Sequence, residues 1–235
     1  MLTVDGRNVE IFPSNQPGAP LVVFHAAMGE GEAVFEAARS MTRADFSMAA
    51  VEILNWNDEL SPWPQSAVAR GDVPFSGGAA DYLCRLTERI MPEVLAQLPA
   101  EPAFLALAGY SMAGLFTLYA LTQTDRFARA ASASGSLWFP GIVEYLQSHP
   151  PRRTPERLYL SLGDRESHTR NTALRPVEEN TRQMAEWYHS QGILTQFEMN
   201  PGGHFKDADH RMARAIAWIL GDAPSISCQI GSAAL

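Results

Sequence analysis

The chain has 235 residues, of which 46% are hydrophobic, and it carries a formal net charge of −8. This length and apolar content predict one globular domain that is large enough for a sheet buried on both faces. The acidic balance, without a basic stretch that could contact phosphates, argues against nucleic acid or an anionic membrane as a partner.

The cysteines and the N-terminus bear on location. Cys84 and Cys228 lie far apart and form no close-spaced pair, which is typical of reduced thiols in a cytoplasmic protein. The first residues lack a signal-peptide pattern, and no apolar run approaches membrane-spanning length. We expect a cytoplasmic protein with a single domain over 1–221 and a small, polar tail over 222–235. A homo-oligomer remains compatible with this composition.

Strands and helices alternate along the chain. A hairpin is predicted where Leu2–Val4 and Val9–Phe12 flank an Asp-Gly pair. Further strands are predicted at Leu21–Phe24, Phe46–Ile53, Phe104–Leu107, Ala128–Ala133, Arg157–Leu162 and Thr195–Met199, the last of these at a sheet edge. Helices are predicted at Glu32–Arg39, Gly78–Leu95, Met112–Thr122, Ile142–Gln147, Ala173–Gln191 and Phe205–Leu220. This order predicts an α/β fold with a mostly parallel, doubly wound sheet and helices on both faces.

A serine lies at the turn between a predicted strand and helix. Residues two before and two after such a serine must be small, and Gly109 and Ala113 meet that demand. The turn lifts the Ser111 hydroxyl clear of the sheet and places the Met112 N–H at a helix N-terminus, where it can stabilise an oxyanion. The segment therefore predicts the nucleophile elbow of an α/β-hydrolase, although an ordinary glycine turn would show a similar pattern.

Two carboxylates follow a later strand. Gly163 ends the strand, and Asp164 and Glu166 come directly after it. Catalytic groups in open α/β sheets lie in loops at the carboxyl ends of strands, so both side chains are candidates for a triad acid. The shorter Asp164 could instead cap a helix or bond an amide of its own loop.

The histidine candidate follows the last predicted strand. His204 comes after the turn Asn200-Pro201-Gly202-Gly203, opens the final helix, and can reach back to the serine. The other histidines lie in a strand, in loops or on helices, at positions 25, 149, 168, 189 and 210. His204 and His210 are not spaced as zinc ligands, so we expect no metal and no cofactor.

Two loops are candidates for the rim of a site. The loop after Leu21–Phe24 has small residues, and in an α/β-hydrolase Ala27 or Ala26 would supply the second oxyanion N–H. The long connection over 55–77 lacks a clear helix or strand pattern, which is typical of a lid or a pocket wall. Its aromatics could bind an apolar substrate group or could pin the loop to the core. We expect the substrate-binding residues to be Trp63 from this loop, Trp138 after the predicted strand Ala128–Ala133 and Tyr110 beside the serine.

These segments resemble the Putative esterase (esterase D-like) branch of the α/β-hydrolase superfamily. The resemblance is carried by Gly109–Gly114, Ser134–Trp138, Ser161–Glu166 and Gly202–Phe205. It implies Ser111 as nucleophile, Glu166 or Asp164 as acid and His204 as base. It favours Glu166, because many hydrolases of this fold place the acid three residues after the strand-ending glycine. The oxyanion loop departs from the family pattern, since it reads His-Ala-Ala where many relatives have His-Gly.

The sequence thus predicts a serine esterase that cleaves a small-molecule carboxylic ester through an acyl-enzyme. An acyltransferase would use the same three residues with an alcohol in place of water. The non-enzymatic alternative is a binding protein that has the hydrolase fold but no catalytic activity.

Overall fold

An eight-stranded sheet forms the centre of the molecule in the computed structural model, which describes residues 1–26, 29–68 and 71–221. Its strands are β1 Leu2–Val4, β2 Arg7–Phe12, β3 Leu21–Ala26, β4 Ser47–Glu52, β7 Leu105–Tyr110, β8 Arg129–Ala133, β9 Arg157–Gly163 and β10 Leu194–Asn200. Two short strands, β5 Pro64–Gln65 and β6 Phe75–Ser76, pair with each other outside this sheet.

The sheet is mostly parallel. Its strand order is β1-β2-β4-β3-β7-β8-β9-β10, and every pairing from β4 to β10 is parallel. The N-terminal hairpin adds the two antiparallel pairings. The predicted fold class, an α/β-hydrolase sheet, is confirmed, and β10 lies at the edge as expected. Because the strands are parallel, their carboxyl ends meet on one side of the sheet, where loops can converge on a site.

Helices cover both faces of the sheet. They are α1 Gly31–Met41, α2 Trp56–Glu59, α3 Ala79–Arg85, α4 Met91–Leu95, α5 Met112–Gln123, α6 Ile142–Ser148, α7 Val177–Ser190 and α8 Ala208–Leu220. Alternate residues of the central strands point to opposite faces, so Leu107 packs with the core under α5, whereas Ala106 and Ala108 pack under α1 and α8. Helix α5 is buried from Met112 to Thr122 and lies between the sheet and the outer helices.

Three predicted helices differ from the observed ones for local backbone reasons. The helix expected over 78–95 contains a π-helical turn at Leu86–Ile90, which precedes a proline, Pro92, that has no N–H for a regular helical bond. The helix expected from residue 173 begins at Val177, directly after Pro176, because the proline nitrogen has no N–H to donate and cannot continue the hydrogen bonds of a helix that started earlier. A single 3₁₀ turn at Thr172–Leu174 precedes it.

The final helix also begins later than expected. Residues 204–207 form a turn, so His204 and Phe205 do not open a helix as the sequence had indicated. Asp207 adopts a left-handed conformation with φ +53°, which interrupts any helical path before Ala208. His204 therefore lies in the turn before α8 and is not part of that helix.

The 55–77 segment contains regular structure, which corrects the expectation of a loop without any. Helix α2 begins it, and the β5–β6 ribbon brings Pro64 and Gln65 against Phe75 and Ser76. Asn55 accepts a hydrogen bond from the Asp58 N–H and so caps α2. The segment is therefore a structured insertion that joins β4 to α3.

A buried ion pair attaches this insertion to the N-terminal hairpin. The Arg7 guanidinium donates to both carboxylate oxygens of Glu59, at 2.9 and 3.1 Å, and both side chains are at least nine-tenths buried. Glu59 also accepts from the Leu54 N–H at 3.1 Å. A buried pair of this kind is costly to break from one side, because the remaining charge stays without a partner in a poorly polarisable environment.

Two predictions concern parts of the chain outside the described residues. These are the tail over 222–235 with Cys228, and Ala27 as a second oxyanion donor. Within the described residues, Cys84 is a free, exposed thiol. No helix in these described ranges is long and apolar enough to span a bilayer.

We predict that Glu59→Gln lowers the free energy of unfolding by about 3 kcal/mol, because it leaves the buried Arg7 charge unpaired. Urea denaturation followed by circular dichroism measures this change. The matched control is Glu88→Gln, which removes an exposed ion pair with Arg126 and should cost less than about 0.5 kcal/mol. Equal losses in the two variants would contradict the role given to the buried pair.

Candidate active site

The nucleophile candidate lies in a strained turn. Ser111 connects β7 to α5 with φ +59° and ψ −124°, an uncommon conformation for a residue with a side chain. Its N–H donates to Ala133 O at 3.1 Å, and its carbonyl accepts from the N–H groups of Leu115 and Ser136. These backbone bonds to β8, to α5 and to the loop after β8 hold the strained residue in place.

Small residues make the turn possible. A Cβ at Gly109 would lie 2.3 Å from the carbonyl oxygen of Ala113, which is far inside van der Waals contact. A Cβ at Gly114 would lie 2.9 Å from Ser132 Oγ and 3.0 Å from Gly135 Cα. The sequence requirement for small residues around Ser111 therefore has a direct steric cause.

The turn leaves a backbone donor beside the serine. Met112 is the first residue of α5, so its N–H has no carbonyl partner one turn earlier in the helix. The positive end of the helix dipole adds to the attraction for a negatively charged oxygen at this point.

Three side chains from distant parts of the sequence form one chain of contacts. His204 Nε2 lies 3.0 Å from Ser111 Oγ, and His204 Nδ1 lies 2.7 Å from Glu166 Oε2. Because a carboxylate can only accept, Nδ1 carries the proton and Nε2 is left to accept from the serine hydroxyl. The arrangement can take a proton from Ser111 while Glu166 holds the imidazole in one tautomer and orientation.

Glu166 is held as a carboxylate in a polar niche. Its side chain is 4% exposed, and its second oxygen accepts from the Gly163 N–H at 2.7 Å and from Ser134 Oγ at 2.8 Å. Burial by itself raises the pKa of Glu166, but the hydrogen bond and charge of His204, with the Ser134 and Gly163 donors, outweigh it and lower that pKa below its usual value. The carboxylate is therefore ionised at neutral pH.

Asp164 makes a different contact from the one expected of it. Its Oδ1 accepts from the Gly202 N–H at 2.7 Å, in the loop that carries His204, and not from an amide of its own loop. The Asp164 N–H in turn donates to Asn200 O at 2.8 Å. Asp164 thus ties the two loops together but does not contact the imidazole.

Tyr110 also acts on the histidine loop. Its hydroxyl donates to the backbone carbonyl of His204 at 2.6 Å, and its ring lies 5.4 Å from the imidazole. Burial raises the pKa of the Tyr110 phenol, so the hydroxyl keeps the proton that this bond needs. Tyr110 was expected to bind substrate. Tyr110 lines the smaller of two cavities at Ser111, while its hydroxyl is bonded to the His204 carbonyl.

Two cavities have Ser111 and His204 in their walls. The larger has a volume of about 890 Å³, and Trp138, Phe75 and Met112 are among the residues that line it. The smaller has a volume of about 240 Å³ and is lined by Trp56, Tyr110 and Met212 among others. An ester bound at Ser111 can therefore extend one group into each cavity.

The two tryptophans named from the sequence have different places. Trp138 lines the larger cavity, as expected, and lies 6.1 Å from Phe75. Trp63 is not among the lining residues of either cavity, and its predicted role in substrate binding stays a prediction. Its indole N–H donates to Pro140 O at 3.1 Å and its ring packs on Tyr145, so Trp63 fixes the insertion to the α6 region.

One of the competing histidines, His25, lies in the core. His25 is 1% exposed, and its ring packs edge-on against Phe116 and Tyr82. Burial, with the nearby Arg7 charge, lowers the pKa of His25 to about 3, so it is neutral. Among the described residues, no group of three or more His, Cys, Asp or Glu side chains is arranged to hold a metal ion.

Sequence reasoning missed several residues of the site. Ser134 and Arg211 contact Glu166, and Phe205, which is 91% exposed, lines both cavities. Phe205 follows His204 directly, and that position was a signal that could have found it. Arg211 gave no such signal, because a charged residue in an amphipathic helix normally faces solvent.

The fold and this arrangement define a serine hydrolase of the α/β-hydrolase type, and comparison with known proteins agrees. The sequence matches the family described as "Putative esterase" over residues 8–213. A curated relative, the uncharacterized protein YbbA of Bacillus subtilis (strain 168), is 23% identical over an alignment of 182 positions that covers 74% of this chain and 73% of that protein.

Solved structures show the same fold. The siderophore hydrolase EstA of Aspergillus nidulans is similar with a TM-score of 0.71 at 19% identity, covering 90% of this chain and 89% of that one. An IroE-like serine hydrolase of Shewanella oneidensis has a TM-score of 0.73 at 15% identity, covering 90% of this chain and 75% of that one. The chain belongs to the Putative esterase family and is a carboxylic ester hydrolase.

We predict that Trp138→Ala and Trp63→Ala have different effects because the two indoles do different things. Trp138→Ala should raise KM for aromatic esters about tenfold. The variant loses the indole wall of the cavity, and a tenfold change corresponds to roughly 1.4 kcal/mol of binding free energy. Trp63→Ala should leave KM within about twofold and lower the free energy of unfolding by roughly 2–4 kcal/mol. Ester kinetics and urea denaturation of both variants measure this, and a higher KM in Trp63→Ala alone would reverse the assignment.

Proposed function

We propose that this chain hydrolyses a carboxylic ester by nucleophilic catalysis, with Ser111 as nucleophile, His204 as general base and Glu166 as the acid of the triad. One observation carries the proposal. It is the continuous chain of contacts from Ser111 Oγ through both nitrogens of His204 to Glu166 Oε2, at 3.0 and 2.7 Å. A serine hydroxyl is a poor nucleophile at neutral pH, and an adjacent base within hydrogen-bond reach corrects this.

In the first half of the reaction, Ser111 Oγ attacks the ester carbonyl carbon and its proton passes to His204 Nε2. The carbonyl oxygen becomes an oxyanion, and the Met112 N–H at the start of α5 donates to it. A donor of this kind is worth about 3 kcal/mol in the transition state. Ala27, which follows β3 in the sequence, is proposed as the second donor. The tetrahedral intermediate then expels the alcohol, which takes its proton from His204, and an acyl-enzyme remains.

In the second half, water attacks the acyl-enzyme. His204 takes a proton from that water and returns it to Ser111 Oγ as the acid product leaves. Glu166 stays ionised throughout and stabilises the imidazolium that forms in each half. The lowered pKa of Glu166 supports this role, because a protonated acid could not offset the imidazolium charge.

The two cavities that share Ser111 differ in size, and this supports a substrate with one bulky and one small group. The larger cavity offers aromatic surface from Trp138 and Phe75 to the bulky group. The similar fungal protein is a siderophore hydrolase, and bulky siderophore esters are the first substrates that we would test on this chain. The cytoplasmic location, the oligomeric state and the use of alcohol in place of water stay predictions.

The proposal is tested first at the nucleophile. Ser111→Ala should lower kcat for an activated ester by on the order of 10⁴-fold or more, because no nucleophile remains to form the acyl-enzyme. A fluorophosphonate should add covalently to the wild-type protein at Ser111, seen by mass spectrometry of peptides, and not to Ser111→Ala. Ser148→Ala, on the exposed side of α6, serves as control and should label normally. More than a tenth of wild-type activity in folded Ser111→Ala would sink the proposal.

A second prediction separates the two carboxylates. Glu166→Gln should lower kcat by roughly 10²–10⁴-fold, because a neutral amide cannot stabilise the imidazolium and can favour the wrong tautomer. Asp164→Asn should change kcat by less than about threefold, since the asparagine side-chain oxygen can still accept from the Gly202 N–H. Kinetics of both variants on one ester decide the matter, and a severe defect in Asp164→Asn beside normal Glu166→Gln would exchange the two roles.

A further inference from the structure

A buried arginine from the last helix lies directly behind the Glu166 carboxylate. Arg211 is 1% exposed, although it belongs to α8 and sequence patterning would place it on the surface. A buried guanidinium is costly unless its donors and its charge are satisfied. The partners that satisfy it therefore indicate why it is there.

One edge of the guanidinium faces three oxygens of the site. Arg211 Nη1 lies 3.3 Å from Glu166 Oε1 and 3.4 Å from both Ser134 Oγ and Tyr110 Oη. These distances are long for individual hydrogen bonds, so the contact with Glu166 acts mainly through charge. Arg211 thus faces the carboxylate oxygen that His204 does not use.

The other edge holds the histidine loop. Arg211 Nη2 donates to Pro201 O at 3.0 Å, three residues before His204. Tyr110 bonds the carbonyl of His204 itself, as described above. One side chain therefore contacts the acid, the tyrosine beside the nucleophile and the loop that carries the base.

The surrounding backbone is shaped to admit this side chain. A Cβ at Gly163 would lie 3.0 Å from Arg211 Nη1 and 2.9 Å from Glu166 Oε1, as well as 2.3 Å from Gly202 O. A residue larger than glycine at position 163 would force these groups apart. The strand end, the acid and the arginine fit together as one packed unit.

We propose that Arg211 is a positioning residue for ester hydrolysis. It holds the Glu166 carboxylate in a single orientation and fixes the Pro201–His204 loop, so that the imidazole meets both Glu166 and Ser111. The inference rests on the proposed function, because it acts through Glu166 and His204. It predicts a loss in kcat rather than in substrate binding, since Arg211 lines neither cavity.

The test compares variants of two arginines on α8. Arg211→Met, which keeps length but removes the charge, should lower kcat about 10–100-fold with KM within about threefold. Arg211→Lys keeps a charge but cannot serve both edges, so its kcat should lie between those of wild type and Arg211→Met. Arg214→Met is the matched control, because Arg214 pairs with Glu198 and Asn200 rather than with Ser111, His204 or Glu166, and it should keep kcat within about twofold.

A double-mutant cycle shows whether Arg211 acts through the acid. Adding Arg211→Met to Glu166→Gln should lower kcat by less than about threefold further, because the carboxylate that Arg211 positions is already gone. If the second substitution costs the same factor as it does in wild type, the proposal is overturned. It is also overturned if Arg211→Met leaves kcat unchanged, or if Arg211→Lys is as slow as Arg211→Met.

Two further measurements check that the variants are folded and show which proposal fails if the result is negative. Thermal unfolding checks that each variant is folded, and Arg211→Gln replaces Arg211→Met under the same criteria if the methionine variant does not fold. Ester turnover and fluorophosphonate labelling of Ser111 together distinguish failure of the proposed triad from failure of the role given to Arg211. If Glu166→Gln is as active as wild type, the proposed triad is wrong. If Glu166→Gln is impaired and Arg211→Met labels and turns over normally, the role of Arg211 alone is wrong.

Discussion

The close approach of β7 and α5 at Gly109 is the constraint on which the site depends. A Cβ at this position would lie 2.3 Å from Ala113 O, so the strand can turn into the helix here because glycine has none. The turn fixes Ser111 at φ +59° and makes Met112 the first residue of α5. A single steric condition thus places both the proposed nucleophile and the proposed oxyanion donor. The strain is held by backbone bonds to β8, which run through the Ala133 carbonyl.

The remaining side chains of the proposed site come together because the sheet is parallel. The loops after β7, β8, β9 and β10 all leave the same edge, and they bring Ser111, Ser134, Glu166 and His204 within bonding distance. Proximity alone would not fix a catalytic geometry, since loops move more than the strands that carry them. Here the loops are cross-linked by polar contacts from Asp164, Tyr110 and Arg211, which act on the histidine loop from three directions. The sheet therefore sets where the groups meet, and these contacts set how they are oriented.

The sequence predicted what depends on local pattern and chain order. The parallel sheet, the turn at Ser111, the two carboxylates after Gly163 and the histidine after the last strand all have signatures within a few residues. What it could not predict depends on tertiary packing. Arg211 looks like a surface residue of an amphipathic helix until the fold buries it. The sequence suggests that Trp63 is a pocket residue, whereas in the fold its indole N–H donates to Pro140 O. The late start of α8 depends on a left-handed Asp207, which residue type alone does not indicate.

The 55–77 insertion is attached to the rest of the molecule by contacts that are separate from those of the catalytic groups. Glu59 is anchored by Arg7 of the hairpin, and Trp63 is anchored beside α6. The stretch that faces the larger cavity is held by side-chain amides, since Asn57 donates to Val73 O at 2.6 Å and Asn171 donates to Val68 O at 3.0 Å. None of these contacts passes through Ser111, His204 or Glu166. Changes in the insertion can therefore reshape the larger cavity while the geometry around the nucleophile stays fixed, which separates the choice of substrate from the chemistry performed on it.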